Sequence, residues 1–328
     1  LHRGDQKLID TIPSPLRKYF VFCNVPLAAY PFYVGVLAFR ILKFEPHYLV
    51  CSLWRSCVVG SFVKWLDRKI YYYPFIHNST FFHKMDRWAS LQAMRISDAV
   101  FVDSRSASDF VVNSCKIRDK VVAVISFVTE RAPGGVPDYD FRQKHFVFIG
   151  RMHPVKNVSA AVRSIAWLRK RGVDAYLAIY GRDDGDAANV IQAIKRENME
   201  PYIELKGELP PSDKVQLLLA RDYPFYLQLS VMEGMAMSVV EAMQAGKVCV
   251  LTAVGEIPRY ATDGESAVFV DCSSDEAWER SMRRVLTTIA NVRSCAHISQ
   301  AAYLAFREKP LFKDSLIEAI HTKGGGCG

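Results

Sequence analysis

The sequence lacks several signals that would assign the protein to a familiar class. It has eight cysteines in 328 residues, but none form a C-x-x-C pair and no cysteine–histidine spacing suits zinc. No predicted strand is followed by G-x-G-x-x-G, which disfavours a NAD-dependent dehydrogenase. No n-region with a cleavage site resembles a signal peptide, and the only low-complexity segment is the glycine-rich tail at residues 324–328. We therefore expect reduced cysteines and a cytoplasmic setting, and we exclude a disulfide scaffold.

The chain has an ordinary globular composition with an uneven charge. Half of its residues are hydrophobic, 23% are charged, and the formal net charge is +8. At about 100–200 residues per domain, the length predicts two domains. Residues 1–145 hold 20 Lys and Arg against 12 Asp and Glu, whereas residues 146–328 hold 22 of each. This pattern excludes a uniformly basic nucleic-acid binder, but one basic domain could face an anionic surface.

One uncharged stretch, residues 19–39, is about long enough to span a bilayer. It is interrupted by two prolines and an asparagine, and it is followed by Arg40 and Lys43. Because proline opens helices more often than it lies inside them, we predict a buried or interfacial helix over residues 27–42 instead.

Short β-rich runs alternate with helical patterns along most of the chain, which is typical of parallel α/β architecture. In the first half, strands are predicted at residues 47–53, 70–76, 99–102 and 121–125, and helices at residues 60–68, 84–96 and 106–113. In the second half, strands are predicted at residues 145–149, 175–180, 203–206, 225–229, 248–251 and 267–270, and helices at residues 158–170, 187–198, 212–220, 238–244 and 275–290. A Pro- and Gly-rich break at residues 131–140 separates the halves.

This rhythm predicts an α/β fold with two Rossmann-like, doubly wound domains that face a cleft. The predicted boundaries are 1–140 for the first domain, 141–300 for the second, and 301–328 for a C-terminal helix and flexible tail. In such folds ligands bind at the carboxyl ends of the strands, so the loops that follow strands are where chemistry is expected.

The first polar loop occupies residues 150–157. Gly150 permits a sharp turn after a strand, and Arg151 and Lys156 lie beside a predicted helix N-terminus. The free N–H groups of a helix N-terminus favour an anion, and two added cations suit a diphosphate better than a single carboxylate. Spacing alone leaves a solvated basic loop equally open.

The second polar loop begins at Glu233 and runs into a helix that carries Glu241. Gly234 and the small Ala236 let backbone N–H groups approach a ligand closely. A carboxylate at each end of such a loop can accept hydrogen bonds from sugar and ribose hydroxyls. Taken alone, however, Glu241 is better explained as an ordinary acidic residue on a helix surface.

Taken together, these segments form a specific pattern. G-R-x4-K-N follows one strand, E-G-x6-E-A-M follows another, and V-G-E-I-P comes later at residues 254–258. In this order and spacing, residues 146–290 resemble the donor-binding domain of retaining GT-B glycosyltransferases, specifically glycosyltransferase family 4. Residues 45–130 look like the latter part of the family's first Rossmann domain. The family's opening strand and glycine-rich loop are not visible before residue 45, so we expect a first domain that lacks its first strands.

The resemblance implies a role for five side chains. Arg151 and Lys156 match cations that hold the nucleotide diphosphate and stabilise its charge as it leaves. Glu233 matches a carboxylate that orients the hydroxyls of the donor sugar, and Glu241 matches one that binds the ribose hydroxyls. His77 occupies the place of a first-domain histidine that faces the donor sugar, although a satisfied histidine at a strand end would look the same.

Small residues and exposed backbone complete the donor site that the resemblance implies. The residues expected to line the phosphates and the sugar are Gly150, Gly234, Met235, Ala236 and Met237. The family's second loop glycine is replaced here by Ala236, which would be strained if its φ angle were positive.

An acidic cluster, Asp183-Asp184-Gly185-Asp186, contains the Asp-x-Asp pattern that binds a divalent metal in the other large glycosyltransferase fold. It follows a strand at a point where a GT-B domain merely turns into its next helix. The resemblance therefore implies no metal and no cofactor, because the two cations take the metal's place and the nucleotide sugar is a substrate.

The expected function is transfer of a hexosyl group from a UDP- or GDP-sugar to a hydroxyl acceptor, with retention, in polysaccharide, glycolipid or cell-envelope glycan synthesis. Two alternatives stay open, a nucleotide-sugar 2-epimerase and a non-catalytic protein that binds nucleotide sugars. The expected partners are the donor and a glycan or lipid-linked acceptor, with no nucleic acid. Residues 65–69 and exposed aromatic candidates at residues 71–73 fit peripheral docking on the anionic cytoplasmic face of a membrane. They fit a solvated helix end that leads into a core strand equally well.

Overall fold

The computed structural model describes residue 15 and residues 29–77, 79–131 and 134–324. The chain divides into two compact units, one made of Leu1–Ile125 with Lys313–Gly328 and the other of Ser126–Phe312. The boundaries therefore differ from those predicted at 140 and 300. The Pro- and Gly-rich stretch at residues 131–140 belongs to the second unit, and the end of the chain returns to the first.

The first unit contains a four-stranded parallel sheet in the order β1-β2-β3-β4. Its strands are Tyr48–Ser52 (β1), Tyr71–Ile76 (β2), Ala99–Val102 (β3) and Val121–Val124 (β4). Its helices are Tyr30–Leu42 (α1), Leu53–Leu66 (α2), Lys84–Ile96 (α3) and Arg105–Asp109 (α4), the last continuing as a π-helical turn over Phe110–Ser114. All four residues of β3 are buried, as expected for a central parallel strand.

The structure bears on two expectations for this unit. Tyr72 and Tyr73 were candidates for exposed aromatic residues, with a core strand as the alternative. Both are fully buried, because β2 lies between β1 and β3 and is covered on both faces. Residues 19–28 of the uncharged stretch lie outside the described residues, and α1 begins at Tyr30 with a proline in its first turn. Within the part of the chain that the structure describes, no helix is both long enough and apolar enough to cross a bilayer.

The second unit is a six-stranded parallel sheet in the order β10-β9-β8-β5-β6-β7. The strands are Lys144–Ile149 (β5), Ala175–Tyr180 (β6), Ile203–Gly207 (β7), Phe225–Gln228 (β8), Val248–Leu251 (β9) and Val268–Phe269 (β10). When the strands are numbered 1–6 from β5 to β10 and the order is given from β7, it is 3-2-1-4-5-6, the order of a Rossmann fold. The strand order reverses between β5 and β8, so the switch point lies at the carboxyl ends of those two strands.

Helices cover both faces of this sheet. They are Val158–Arg169 (α5), Ala187–Arg196 (α6), Pro211–Leu219 (α7), Met237–Gln244 (α8), Ile257–Tyr260 (α9), Asp275–Ala290 (α10) and Val292–Arg307 (α11), followed by Phe312–Gly324 (α12), which lies almost entirely in the first unit. Alternation along β5 shows the two faces, because Phe146 and Phe148 enter one apolar cluster while Val147 and Ile149 enter the other.

The predicted strands all exist, and most of their ends agree within one or two residues. One helix prediction was wrong at its start, because α2 begins at Leu53, seven positions before the predicted residue 60. Helix α11 was not predicted, and it crosses residue 300, which was predicted as a domain boundary.

Candidate functional site

The candidate site lies at the switch point of the second unit. The loops after β5 and β8 are joined there, because the Val231 N–H donates to the Val155 carbonyl at 2.8 Å. The loop after β9 is joined to the same group, because the Thr252 hydroxyl donates to the Ser230 carbonyl at 2.6 Å. Three loops predicted from different parts of the sequence therefore form one connected surface at the carboxyl edge of the sheet.

The loop after β5 has a defined backbone that sets the position of Lys156. Pro154–Lys156 form a 3-10 turn, and Asn157 adopts a left-handed conformation with φ of 49° before α5 begins. The turn is closed at its start by His153, whose Nδ1 accepts from the Val155 N–H at 3.2 Å. These contacts define the backbone from which the Lys156 side chain extends.

The centre of the site is an ion pair between Lys156 and Glu233. The Lys156 Nζ lies 2.7 Å from Oε1 and 2.9 Å from Oε2 of Glu233. The side chains are 16% and 6% exposed, so the pair is largely withdrawn from water. Glu233 Oε1 also accepts from Gln228 Nε2 at 2.7 Å and from the Ser230 hydroxyl at 2.5 Å. The carboxylate is thus held in one orientation by three donors.

A second layer orients the donors themselves. Gln228 is fully buried, and its Oε1 accepts from the Tyr226 hydroxyl at 2.7 Å and from the Ser238 hydroxyl at 3.0 Å. This fixes the amide so that its N–H2 group points at Glu233. Burial raises the pKa of Tyr226, so the phenol stays neutral and donates. We did not predict Tyr226, Gln228 or Ser230 as site residues, although polar side chains in a buried strand were a usable signal.

Residues that follow β9 in the sequence hold the loop between β8 and α8 in place. Gly255, at φ of 60°, lies so close that an added Cβ would be 2.3 Å from the Glu233 carbonyl oxygen. The Tyr260 hydroxyl donates to the Met235 carbonyl at 3.0 Å. Ala236 does have a positive φ, 52°, and is buried at the start of α8. A left-handed alanine costs about 1–2 kcal/mol, which these contacts must offset.

Glu241 has different surroundings from Glu233. It projects from α8, forms an ion pair with Lys214 of α7, and lies on the wall of a cavity of about 590 Å³. Other residues on the wall include Arg131, Leu218 and Met237. The cavity is large enough for a nucleoside, since small-molecule sites span about 300–1,000 Å³.

Arg151 and the acidic cluster pair with each other. The Arg151 guanidinium donates to Asp184, and the arginine side chain is 53% exposed. The Asp183 carboxylate accepts from three N–H groups at the start of α6, those of Ala187, Gly185 and Asp186, and these bonds lower its pKa. Among the described residues, no group of three or more His, Cys, Asp or Glu is arranged to hold a metal ion.

His77 lies in the first unit, at the end of β2. Its Nδ1 is 2.9 Å from Asp103 Oδ2, and its Nε2 is 2.7 Å from the Ser52 hydroxyl. The ring packs edge-on against Phe75, with ring centroids 4.4 Å apart. The following residue, Asn78, lies outside the described residues.

The chain matches a known protein family over the unit that contains this site. The family described as "Glycosyl transferases group 1" matches residues 139–304, half of the chain, so the chain belongs to that family. A D-inositol 3-phosphate glycosyltransferase of Corynebacterium aurimucosum is 24% identical over 301 residues, covering 80% of this chain and 69% of the relative. A trehalose phosphorylase of Grifola frondosa is 28% identical over 160 residues, but the chain spans only 22% of its length.

Solved structures show the same fold. HepE of Anabaena, in complex with UDP and glucose, aligns with a TM-score of 0.76 at 16% identity, over 95% of this chain and 88% of that one. TarM of S. aureus aligns with a TM-score of 0.70 at 17% identity, over 89% of this chain and 59% of that one. The fold class is α/β with parallel sheets, and these neighbours are GT-B glycosyltransferases, as the sequence predicts.

Proposed function

We propose that the protein transfers a hexosyl group from a nucleotide-diphosphate sugar to a hydroxyl acceptor, with retention at the anomeric carbon and without a metal ion. The observation that carries the proposal is the Lys156–Glu233 pair, which places a fixed carboxylate and a cation side by side at the switch point. The two groups suit the two halves of the donor, because the carboxylate accepts from sugar hydroxyls while the cation attracts phosphate.

In the proposed reaction the bond between the anomeric carbon and the diphosphate oxygen breaks, and a bond to the acceptor oxygen forms. The acceptor proton passes to the released diphosphate. Lys156 has three N–H donors and gives two of them to Glu233, so one remains to stabilise the charge on the diphosphate. Arg151 would add a second cation by exchanging Asp184 for a phosphate oxygen. Glu233 holds the sugar in the reactive orientation, since its own donors leave it little freedom.

The nucleoside is proposed to occupy the cavity beside Glu241, whose carboxylate would accept from the two ribose hydroxyls. UDP is the favoured nucleotide, since HepE and TarM have been crystallised with UDP. A hydrogen bond to a charged group contributes about 1.5–3 kcal/mol, and the Gln amide keeps one of the two acceptor oxygens. The loss of one such bond in Glu241→Gln should therefore weaken UDP binding about 10–150-fold. Calorimetry with UDP and GDP measures this, with the exposed Glu200→Gln as the matched control. Equal UDP affinity in Glu241→Gln and wild type would contradict the assignment.

Turnover is tested with UDP-hexoses and a panel of acceptors. The panel should hold oligosaccharides, lipid-linked glycans and D-inositol 3-phosphate, because a relative is a D-inositol 3-phosphate glycosyltransferase. NMR of the product gives the anomeric configuration, and an inverted product would refute retention. An epimerised sugar without acceptor would instead support a 2-epimerase, and binding of UDP without turnover would support a non-catalytic protein. Activity unchanged by EDTA is the expected result for a metal-independent enzyme.

A membrane-facing role for the first unit is supported by α1. Phe32 and Phe39 are 83% and 63% exposed and lie at helical spacing with Val36, while Leu37 and Ala38 are buried on the opposite side. Arg40 and Lys43 follow at the end of this helix, and the first half of the chain carries the basic excess. Such a face suits the surface of an anionic bilayer and thereby a lipid-linked acceptor on the cytoplasmic side.

Liposome co-sedimentation tests this membrane proposal. The double variant Phe32→Ser/Phe39→Ser should lose at least about 100-fold in partition, because each buried phenylalanine contributes about 1.5–3 kcal/mol. Leu304→Ser, which alters an exposed apolar residue of α11, is the matched control. Binding should also fall with salt and be absent on neutral vesicles. Equal sedimentation with and without anionic lipid would remove the proposal.

A further inference from the structure

Three side chains at the carboxyl ends of β1, β2 and β3 form a continuous hydrogen-bonded chain. The Ser52 Oγ lies 2.7 Å from His77 Nε2, and His77 Nδ1 lies 2.9 Å from Asp103 Oδ2. The three strands are neighbours in one parallel sheet, so the residues that end them are brought to the same edge. The two ring nitrogens are used in the order that nucleophilic catalysis requires, with the carboxylate on Nδ1 and the hydroxyl on Nε2.

The protonation of the ring follows from these contacts. A carboxylate such as Asp103 only accepts, so His77 Nδ1 carries the hydrogen. His77 Nε2 is then the acceptor, and the Ser52 hydroxyl donates to it. His77 is thereby set as a base for Ser52, and Asp103 can stabilise the imidazolium that forms when the proton moves. The His77 and Asp103 side chains are 34% and 20% exposed, so the chain is partly shielded from water.

The backbone at Ser52 is that of a sharp turn from a strand to a helix. Ser52 ends β1 and is the N-cap of α2, yet its hydroxyl makes no cap hydrogen bond and instead contacts His77. The next residue, Leu53, has a φ of 68°, a left-handed conformation that is unfavourable for leucine. An N-cap serine normally satisfies a helix N–H group. Ser52 lacks this stabilisation, and Leu53 keeps an unfavourable φ angle, while the exposed Ser52 hydroxyl contacts His77.

A small apolar cavity lies beside this group. Its volume is about 40 Å³, and its lining includes Leu53, Trp54, His77, Phe81 and Phe82. One water needs about 10–15 Å³ of such space, so the cavity holds only a few heavy atoms. An acetyl group has the matching size. The first turn of α2 adds backbone N–H groups that a helix leaves without an intrahelical acceptor, which suits a developing oxyanion.

We propose that Ser52, His77 and Asp103 form a nucleophilic site that cleaves short-chain acyl esters, with acetyl esters as the substrate class. Ser52 Oγ attacks the ester carbonyl carbon while its proton passes to His77 Nε2. The bond to the alcohol oxygen then breaks, and the alcohol leaves with that proton. Water attacks the acyl-serine, His77 takes the water proton and returns it to Ser52, and the carboxylic acid is released. Asp103 is the positioning residue. This reaction differs from the proposed glycosyl transfer, for which the family resemblance also implies a role for His77.

A fluorophosphonate probe and p-nitrophenyl acetate test the proposal on the whole chain. We expect one covalent adduct per chain, located at Ser52 by peptide mass spectrometry, and a burst of about one equivalent of p-nitrophenol. Ser52→Ala and His77→Asn should lower the hydrolysis rate at least about 100-fold, whereas the nearby exposed Ser79→Ala should not change it. Failure of the wild-type chain to form an adduct at Ser52 overturns the proposal without recourse to any variant.

The role of Asp103 has its own readout. Asp103→Asn should slow labelling of Ser52 and alter its pH profile, because the ring loses the carboxylate that stabilises its protonated form. Asp103→Glu should restore part of the rate and the original profile. A labelling rate in Asp103→Asn equal to that of wild type would show that the carboxylate does not position His77. Adduct formation that persists in His77→Asn would likewise refute base catalysis.

Discussion

The Lys156–Glu233 pair can be separated into its structural and catalytic contributions by a double-mutant cycle. Lys156→Met leaves a carboxylate that is 6% exposed without its cation, and Glu233→Gln leaves an ammonium that is 16% exposed without its anion. Breaking a buried ion pair from one side destabilises a protein by about 3–5 kcal/mol. For a unit of this size each kcal/mol corresponds to about 2–4 °C in Tm, so each single variant should melt at least about 6–12 °C lower.

The double variant Lys156→Met/Glu233→Gln should recover much of this stability, because it leaves neither charge unpaired. The amide oxygen that replaces the Glu233 carboxylate can still accept from Gln228 and Ser230. We expect a coupling free energy of at least about 2 kcal/mol. Turnover should stay lost in all three variants, since the double variant restores packing without restoring either charge.

Thermal and urea unfolding measure the stability of the three variants, and release of UDP from a UDP-hexose measures turnover. Lys195→Met, an exposed lysine on α6, is the matched control for the loss of one positive charge. Strictly additive destabilisation would show that the two side chains are not coupled. A double variant that recovered both stability and turnover would show that the pair is only structural, and it would refute the proposed roles.

Two further predictions concern backbone and charge elsewhere in the second unit. Gly255→Ala should reduce turnover and stability, because its Cβ would lie 2.3 Å from the Glu233 carbonyl oxygen. Gly264→Ala is the control, since Gly264 also has a positive φ but has open space around it, so this variant shows the conformational cost alone. Kinetics and urea unfolding should show a larger loss for Gly255→Ala than for Gly264→Ala. Burial lowers the pKa of Lys247 from 10.5 to about 7. Between pH 7 and 10.5 the unfolded chain therefore holds a proton on this lysine that the folded chain has released. Lys247 should then raise the free energy of unfolding by about 1.4 kcal/mol per pH unit over this range. Lys247→Met should flatten this dependence in unfolding experiments between pH 7 and 9.5, and an unchanged slope would contradict it.

The sheets and the two principal loops were predictable from the sequence because each depends on local signals. Apolar runs bounded by turn residues define the strands, and Gly150 and Gly234 mark the turns that follow two of them. The alternation of strands and helices predicted doubly wound domains with ligands at the carboxyl ends of the strands, and the observed strand order places both loops at the switch point.

Other features depend on distant residues and could not be read locally. The partner of Arg151 is Asp184, thirty-three positions away, and Lys156 and Glu233 are seventy-seven positions apart. The start of α2 was predicted too late because its first turn, with Leu53 and Trp54, reads as a continuation of the strand. The sequence left Tyr72 and Tyr73 open between an exposed aromatic surface and a core strand, and the strand order places them in the core.

The route of the chain through its two units has a consequence for synthesis on the ribosome. The second unit, Ser126–Phe312, is contiguous, whereas the first unit is interrupted by it and recovers α12 only afterwards. Tyr48 of β1 contacts His321 of α12, with ring centroids 6.4 Å apart. Translation at about 5–20 residues per second takes roughly 10–40 s to synthesise the second unit, which can fold during this time. The nascent first unit lacks α12 throughout this period. The part that is translated first is therefore completed last.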